Sequence, residues 1–271
     1  MSDEGYVCPD CRTPLVDLRC ARCTRQYESH GQFPSLFPSD SRFDKVREIA
    51  STYDSIYSGR SDAWEDQGRT PELIHYLATL LKEFSPRRIL EVGCGEGALL
   101  AATPAHLKYG TDLSAQALEK AFTRTNARLS MAVGERLPFP EDFFDVTVTV
   151  GVMEHFLDPE LASREMWRVL APGGHYVALI HEDMTLRQSL WQKVSEYLYP
   201  SPHPVRLVRW IAGKLYRPIR QPVQNRLTGT ETRACLERCG FEVEKVIDKT
   251  MDPSAPLIGP HVLIFVCRKP R

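Results

Sequence analysis

The chain has 271 residues, with 34 Lys and Arg against 35 Asp and Glu, a formal charge of -1, and 42% hydrophobic residues. At roughly 150 residues per domain this is room for one large domain plus an appendage, and the ordinary apolar content excludes a disordered or fibrous chain. The balanced charge gives no global electrostatic reason for a nucleic-acid or membrane partner, so partners must be read segment by segment.

Four of the eight cysteines fall in the first 23 residues, as Cys8-Pro-Asp-Cys11 and, after eight intervening residues, Cys20-Ala-Arg-Cys23. Two Cys-x-x-Cys turns can each wrap a soft cation, and together they supply the four thiolates that a tetrahedral zinc accepts. Such a site is closed to water and substrate, so the expectation is a structural zinc in a ribbon over residues 1–38. Disulfides are disfavoured in a reducing cytosol, and a redox motif would not need two copies. The opening residues lack a basic stretch followed by an apolar core, and nothing downstream reaches the ~18 apolar residues of a spanning helix, which predicts a soluble, cytoplasmic protein.

A linker is expected near Ser39-Asp-Ser-Arg42, leading into a main domain over 43–271. Helical spacing predicts helices over 43–57 and 70–84, the second with Thr70 as cap and Pro71 in its first turn. Strands are then predicted near 88–92, 107–112, 129–134, 144–150 and 175–181, alternating with helices near 97–103, 114–125 and 159–170. That alternation argues for a parallel sheet covered by helices.

The segment Ile89-Leu-Glu-Val-Gly93-Cys-Gly95-Glu-Gly97 is an apolar strand turning through three glycines into a helix, a place where backbone can approach a ligand closely. Its Gly-x-Gly-x-Gly spacing differs from the dinucleotide fingerprint, and Glu91 just ahead of it would repel a phosphate while suiting a cation. Asp112 closes the second strand, where an acid commonly accepts hydrogen bonds from ribose hydroxyls. Together these describe a site for a nucleoside carrying positive charge.

With Thr111-Asp-Leu-Ser114, Gly134-Glu-Arg-Leu-Pro-Phe139, Phe144-Asp-Val-Thr-Val-Thr-Val-Gly-Val-Met-Glu-His155 and Glu165-Met-Trp-Arg-Val-Leu-Ala-Pro-Gly-Gly174, the chain resembles the class I S-adenosylmethionine-dependent methyltransferases. The likeness is to their quinone-biosynthesis and small-molecule branch. It implies a Rossmann-like α/β fold: a seven-stranded, mostly parallel sheet with helices on both faces and a last strand, near 261–268, running antiparallel.

It also implies S-adenosylmethionine as cofactor. Glu91 would organise the methionine ammonium end, Gly93, Cys94, Gly95 and Gly97 would form the admitting loop, Asp112 would hold the ribose and Leu113 would pack on adenine. Gly134, Glu135 and Gly151 complete the expected cofactor set. Relatives often bind the adenine amino group through an Asp where this chain has Val133, so backbone at Gly134 and Glu135, or the Glu135 side chain, is expected to stand in.

A base is needed only for a protonated nucleophile, and His155, whose neighbourhood in the motif is shared by relatives, is the candidate. His181, beside Glu182 and Asp183, is read as structural, and Cys94, Cys235 and Cys239 as packing. The chain lacks the Asn-Pro-Pro-Tyr and Pro-Cys elements of enzymes that methylate nucleic-acid bases.

An insertion at about 184–229 includes an acid-free stretch from Tyr197 to Thr230 with Arg206, Arg209, Lys214, Arg217, Arg220 and Arg226 among aromatic residues. It reads as a basic lid over an anionic or lipid-like acceptor, or as a helix at 204–216 resting on a membrane surface. The leading expectation is O-methylation of a small-molecule or lipid-like acceptor. The alternatives are a ribosomal-RNA methyltransferase gripping RNA through its ribbon, and a non-catalytic cofactor-binding scaffold whose ribbon recruits a partner.

Overall fold

The computed structural model describes residues 5–59, 69–182, 222–257 and 261–271. The expected lid and membrane-contact segment lies outside the described residues, apart from 222–229.

Arg88–Val92 (β5) is buried at every position after its first residue, the pattern of a strand covered on both faces. The side chains of Leu170–His181 (β9) show how. Tyr176, Ala178 and Ile180 join one apolar core, while Val177 and Leu179 join the other. Pro71–Glu83 (α2), Ala98–Ala102 (α3) and Ala115–Arg124 (α4) cover one face, and Pro159–Val169 (α5) and Gly229–Arg238 (α6) the other.

β5 pairs in parallel with Leu107–Asp112 (β6) and Phe144–Val150 (β8). β6 continues to Arg128–Met131 (β7), and β8 to β9. Val262–Arg268 (β11) inserts antiparallel beside β9, and Glu242–Ile247 (β10) closes that edge. The order β10-β11-β9-β8-β5-β6-β7 is the expected seven-stranded arrangement, with its last strand antiparallel.

The amino-terminal segment extends this sheet. Phe33–Ser35 (β4) pairs in parallel with β7, and Glu28–His30 (β3) adds outside it, making nine strands. A small hairpin of Leu15–Val16 (β1) and Arg19–Cys20 (β2) carries the cysteine turns. Tyr6, Leu15, Tyr27 and Leu36 share a core with Tyr109 and Phe139, so the ribbon is packed into the domain. Ser39, at the expected linker, is pinned by Asp10, whose carboxylate accepts its N–H at 2.8 Å and its hydroxyl at 3.0 Å.

Val46–Gly59 (α1) begins three residues later than its periodicity suggests, because Asp40 caps a separate 3-10 turn over Ser41–Phe43. β7 stops at Met131, and Gly134–Arg136 forms a second 3-10 turn at the rim of the sheet. Caps elsewhere follow the sequence: Thr70 accepts the Leu73 N–H ahead of Pro71, and Thr228 with Glu231 forms a reciprocal capping box on α6.

Candidate active site

The glycine turn after β5 uses backbone that only glycine adopts cheaply. Gly93 and Gly95 have φ of 70° and 51°, and an added Cβ would lie 2.5 Å from Val152 Cγ2 at the first and 2.7 Å from the Tyr57 hydroxyl at the second. Asp112 braces the turn. Its Oδ2 accepts the Gly95 N–H and its Oδ1 the Ser114 N–H, each at 2.9 Å. Two lone pairs per oxygen still leave it capacity for ribose hydroxyls.

Glu91 is wholly buried beneath the turn and pairs with Arg69 Nη2 at 2.6 Å, while its Oε2 and the Arg69 Nε meet no partner among the described residues. Burial outweighs the Arg69 charge and pushes the Glu91 carboxyl up to about 7. Burial likewise raises Asp112. Two carboxyls held in this way favour a cationic ligand, and the left-handed glycines cradle it, so the residues present fit a sulfonium nucleoside. Cys94 packs beneath the turn; burial drives its thiol well above the usual range, consistent with packing rather than chemistry.

A cavity of about 150 Å³ opens at the carboxyl ends of β5, β6, β8 and β9, where ligands bind in open α/β sheets. Gly93, Asp112, Leu113, Gly134, Glu135 and Gly151 line it, as does His155. Glu91, Cys94, Gly95 and Gly97 are not among the lining residues, though Arg69, which is, pairs with Glu91. Gly97 instead caps α3 with φ of 73°.

The Glu135 carboxylate lines the cavity and also braces its wall: its Oε1 accepts the Leu157 N–H at 2.6 Å and the Asp158 N–H at 3.3 Å, holding the turn before α5. Gly134 is required by packing, since a Cβ there would strike the Phe156 ring.

Several lining residues escaped the sequence reading. Tyr53 and Tyr57 project from α1 with Val46 and Ile49, an i, i+4 pattern whose only signal was an apolar helix face. Asp54 fastens that helix by accepting from the Ser114 hydroxyl at 2.6 Å and the Gln116 N–H at 3.1 Å. Arg69 has no local signature. At the far end sits His181, read from sequence as structural, with its Nδ1 2.8 Å from Glu154 Oε1. His155 is tied differently, its Nδ1 2.8 Å from the Val223 carbonyl.

In the ribbon, the sulfurs of Cys8, Cys11, Cys20 and Cys23 all lie within 4.8 Å of one another, and none is in a disulfide. Metal–sulfur bonds of ~2.3 Å in a tetrahedron place sulfurs about 3.8 Å apart. Separations of 3.7 Å for Cys8–Cys23 and 3.3 Å for Cys11–Cys20 therefore fit a single thiophilic ion. Tyr27 reinforces the site with its hydroxyl 3.1 Å from Cys8 Sγ.

Comparison with known proteins agrees with this arrangement. Residues 90–178 match the methyltransferase domain family Methyltransf_11. A demethylmenaquinone methyltransferase of Deinococcus radiodurans is 36% identical over 156 residues, 54% of this chain and 57% of its own length. The ajmaline N-methyltransferase of Rauvolfia serpentina is 31% identical over 65% of this chain and 60% of its own. The chain thus spans about three-fifths of the length of these two curated relatives.

Among solved structures, a chain from the complex of the Haloferax volcanii Trm112 methyltransferase activator with a methyltransferase superposes with a TM-score of 0.55 at 18% identity. It covers 82% of this chain and 97% of that one. The [4+2]-cyclase SpnF does so with 0.55 at 19%, covering 83% and 97%. These likenesses show the fold, a Rossmann-like α/β sheet with a cavity at its glycine turn. Residues 90–178 thus resemble a methyltransferase domain, and the curated relatives that match over this region include enzymes named as methyltransferases.

Proposed function

We propose that the protein transfers a methyl group from S-adenosylmethionine to an oxygen of a small, largely apolar acceptor. The observation that carries this reading is the two-ended cavity. Gly93 and Asp112 line it after β5 and β6, with Arg69 paired to buried Glu91, and His155 and His181 line it on the β8 and β9 side, among Val150, Val152, Phe156 and Leu179. The acidic end suits a cationic nucleoside, and two imidazoles suit an acceptor that must lose a proton.

When bound, the cofactor supplies an electrophilic methyl group. Asp112 would hold the ribose, the Gly93 peptide would admit the methionine end, and Leu113 with Val133 would flank the adenine. Tyr53 and Tyr57 on α1 would exclude water, and alignment in a water-poor site supplies much of the rate of an in-line displacement. The apolar walls support an aromatic or lipid-like acceptor rather than a highly polar one.

In the ribbon, zinc is the ion best suited to four thiolates. Its role is structural, since the knuckles are packed on the domain and Arg136 donates to the Pro9 and Asp10 carbonyls at 2.7 and 3.1 Å. That docking supports neither a free RNA grip nor a detached recruiting module. Among the described residues no helix is long and apolar enough to cross a membrane.

The test is calorimetry with S-adenosylhomocysteine, followed by incubation with methyl-labelled S-adenosylmethionine and panels of phenols, quinols and ribosomal RNA. Binding with label entering phenols or quinols is expected; label entering RNA alone would replace this reading.

A further inference from the structure

Beside the cavity stands a Glu–His pair that lies outside the expected cofactor set. Glu154 lies on a 3-10 turn, Met153–His155, directly after β8, and is only 5% exposed. Its Oε1 is 2.8 Å from His181 Nδ1 and 3.4 Å from the His181 backbone N, and its Oε2 has no partner among the described residues. His181, the last residue of β9, has 47% of its side chain exposed and lines the cavity. A carboxylate at Nδ1 keeps the proton there, leaves the lone pair on Nε2, and stabilises the imidazolium that forms when Nε2 takes a proton.

His155 has a different environment. Its Nδ1 faces the Val223 carbonyl, and Asn225 bonds the same turn through its N–H to the Glu154 carbonyl at 2.7 Å and its Nδ2 to the Phe156 carbonyl at 2.6 Å. That ring is part of the clasp holding the segment after 222 against the turn. A carbonyl orients an imidazole but contributes no full charge to balance its protonation.

We propose that His181 Nε2 is the proton acceptor for a hydroxyl-bearing substrate, with Glu154 as its positioning residue; this rests on the methyltransferase reading of the same cavity. As the acceptor oxygen bonds to the methyl carbon, its O–H bond breaks and the proton passes to Nε2. The electron pair of the methyl–sulfur bond stays on sulfur, leaving neutral S-adenosylhomocysteine, and the imidazolium then gives its proton to water. The titratable and charged groups around His181 are Glu154 and His155 on the turn, Tyr53 of α1 across the cavity, Glu182 next in the chain, His261 beside it ahead of β11, and Arg69 and Asp112 toward the cofactor end.

The test uses the full chain and the variants His181→Gln and Glu154→Gln. Nitrogen-15 NMR should find neutral His181 as the Nδ1–H tautomer. Both variants should bind S-adenosylhomocysteine within twofold of wild type. With a phenol and catechol panel, His181→Gln should lose at least ~100-fold in kcat. In Glu154→Gln kcat should fall at least ~10-fold with KM within twofold of wild type, the split expected of a positioning residue.

An Nε2–H tautomer, wild-type kcat in Glu154→Gln, or wild-type turnover by His181→Gln overturns the proposal while leaving the methyltransferase reading intact. Failure of wild type to bind S-adenosylhomocysteine would overturn that reading and this proposal with it.

Discussion

Arg12 of the first cysteine knuckle and Glu165 of α5 meet at 2.8 Å, although 153 residues separate them in the chain. Arg12 sits at φ 63°, a left-handed conformation that turns its side chain off the knuckle, and its Nη1 also donates to the Leu137 carbonyl at 2.5 Å. Glu165 in turn accepts the Leu137 N–H at 2.9 Å and Arg168 at 2.8 Å. Leu137 follows the turn carrying Gly134 and Glu135, so the ribbon and one wall of the cavity share a single polar network.

Removing the centre of that network should be costly. Glu165→Ala removes the carboxylate shared by two part-buried guanidinium groups and strands the Leu137 N–H, so a loss of about 1–3 kcal/mol is expected. Arg164→Ala breaks only exposed contacts to Glu160 and should cost under about 0.5 kcal/mol. Urea unfolding of the two variants measures the contrast.

The metal should stabilise the whole domain. Cys20→Ser should lower bound zinc from one per chain to well below it and reduce the thermal midpoint by roughly 5 °C or more, because the ribbon shares its core with Tyr109 and Phe139. Metal analysis and a melting curve on the same sample check both parts. A normal midpoint in zinc-free protein would contradict the structural role.

Asp112 has two tasks, bracing the Gly95 peptide and facing the cavity. Asp112→Ala should weaken S-adenosylhomocysteine binding by about 1–3 kcal/mol, roughly 5- to 150-fold, for a lost charge-assisted hydrogen bond. Calorimetric affinity equal to wild type would remove it from the cofactor site.

Buried Glu91 should leave a signature in pH-dependent stability. Its folded value of about 7 lies above the ordinary carboxyl range, so between about pH 4.5 and 7 the native state holds more proton than the unfolded chain. Stability from this group is full below that window and falls as pH rises through it, by roughly 1–3 kcal/mol. Denaturant unfolding from pH 5 to 8 should show this decline in wild type and a shallower one in Glu91→Gln.

At Gly134 the limit is steric. Gly134→Ala would drive a methyl into the Phe156 ring, displacing the wall next to Glu135, with about 1–3 kcal/mol lost to overpacking. Gly31→Ala, which meets nothing within 4 Å, provides the comparison for the strain of a positive φ alone.

The strand and helix alternation, the glycine turn and the paired cysteines were legible in sequence because each is encoded within a few residues. Strand burial, helix periodicity, caps and ligand spacing all act over one element or one turn. The seven-stranded order followed from the resemblance carried by those same local motifs. The extension to nine strands did not, since β3 and β4 are too short and irregular to announce the edge they join.

Partnerships across the sheet depended on the tertiary structure. Glu154 reaches His181 because the parallel register of β8 and β9 brings their carboxyl ends side by side. Arg69 reaches Glu91 because α2 starts at the mouth of the cavity, and Tyr53 and Tyr57 face the glycine turn because Asp54 fastens α1 to the start of α4. The sequence by itself determined which elements form and where a nucleoside could approach the backbone. The tertiary structure decided which charges are paired, which histidine has a carboxylate behind it, and that the ribbon is part of the domain, because those outcomes depend on strand register and burial between residues distant in the chain.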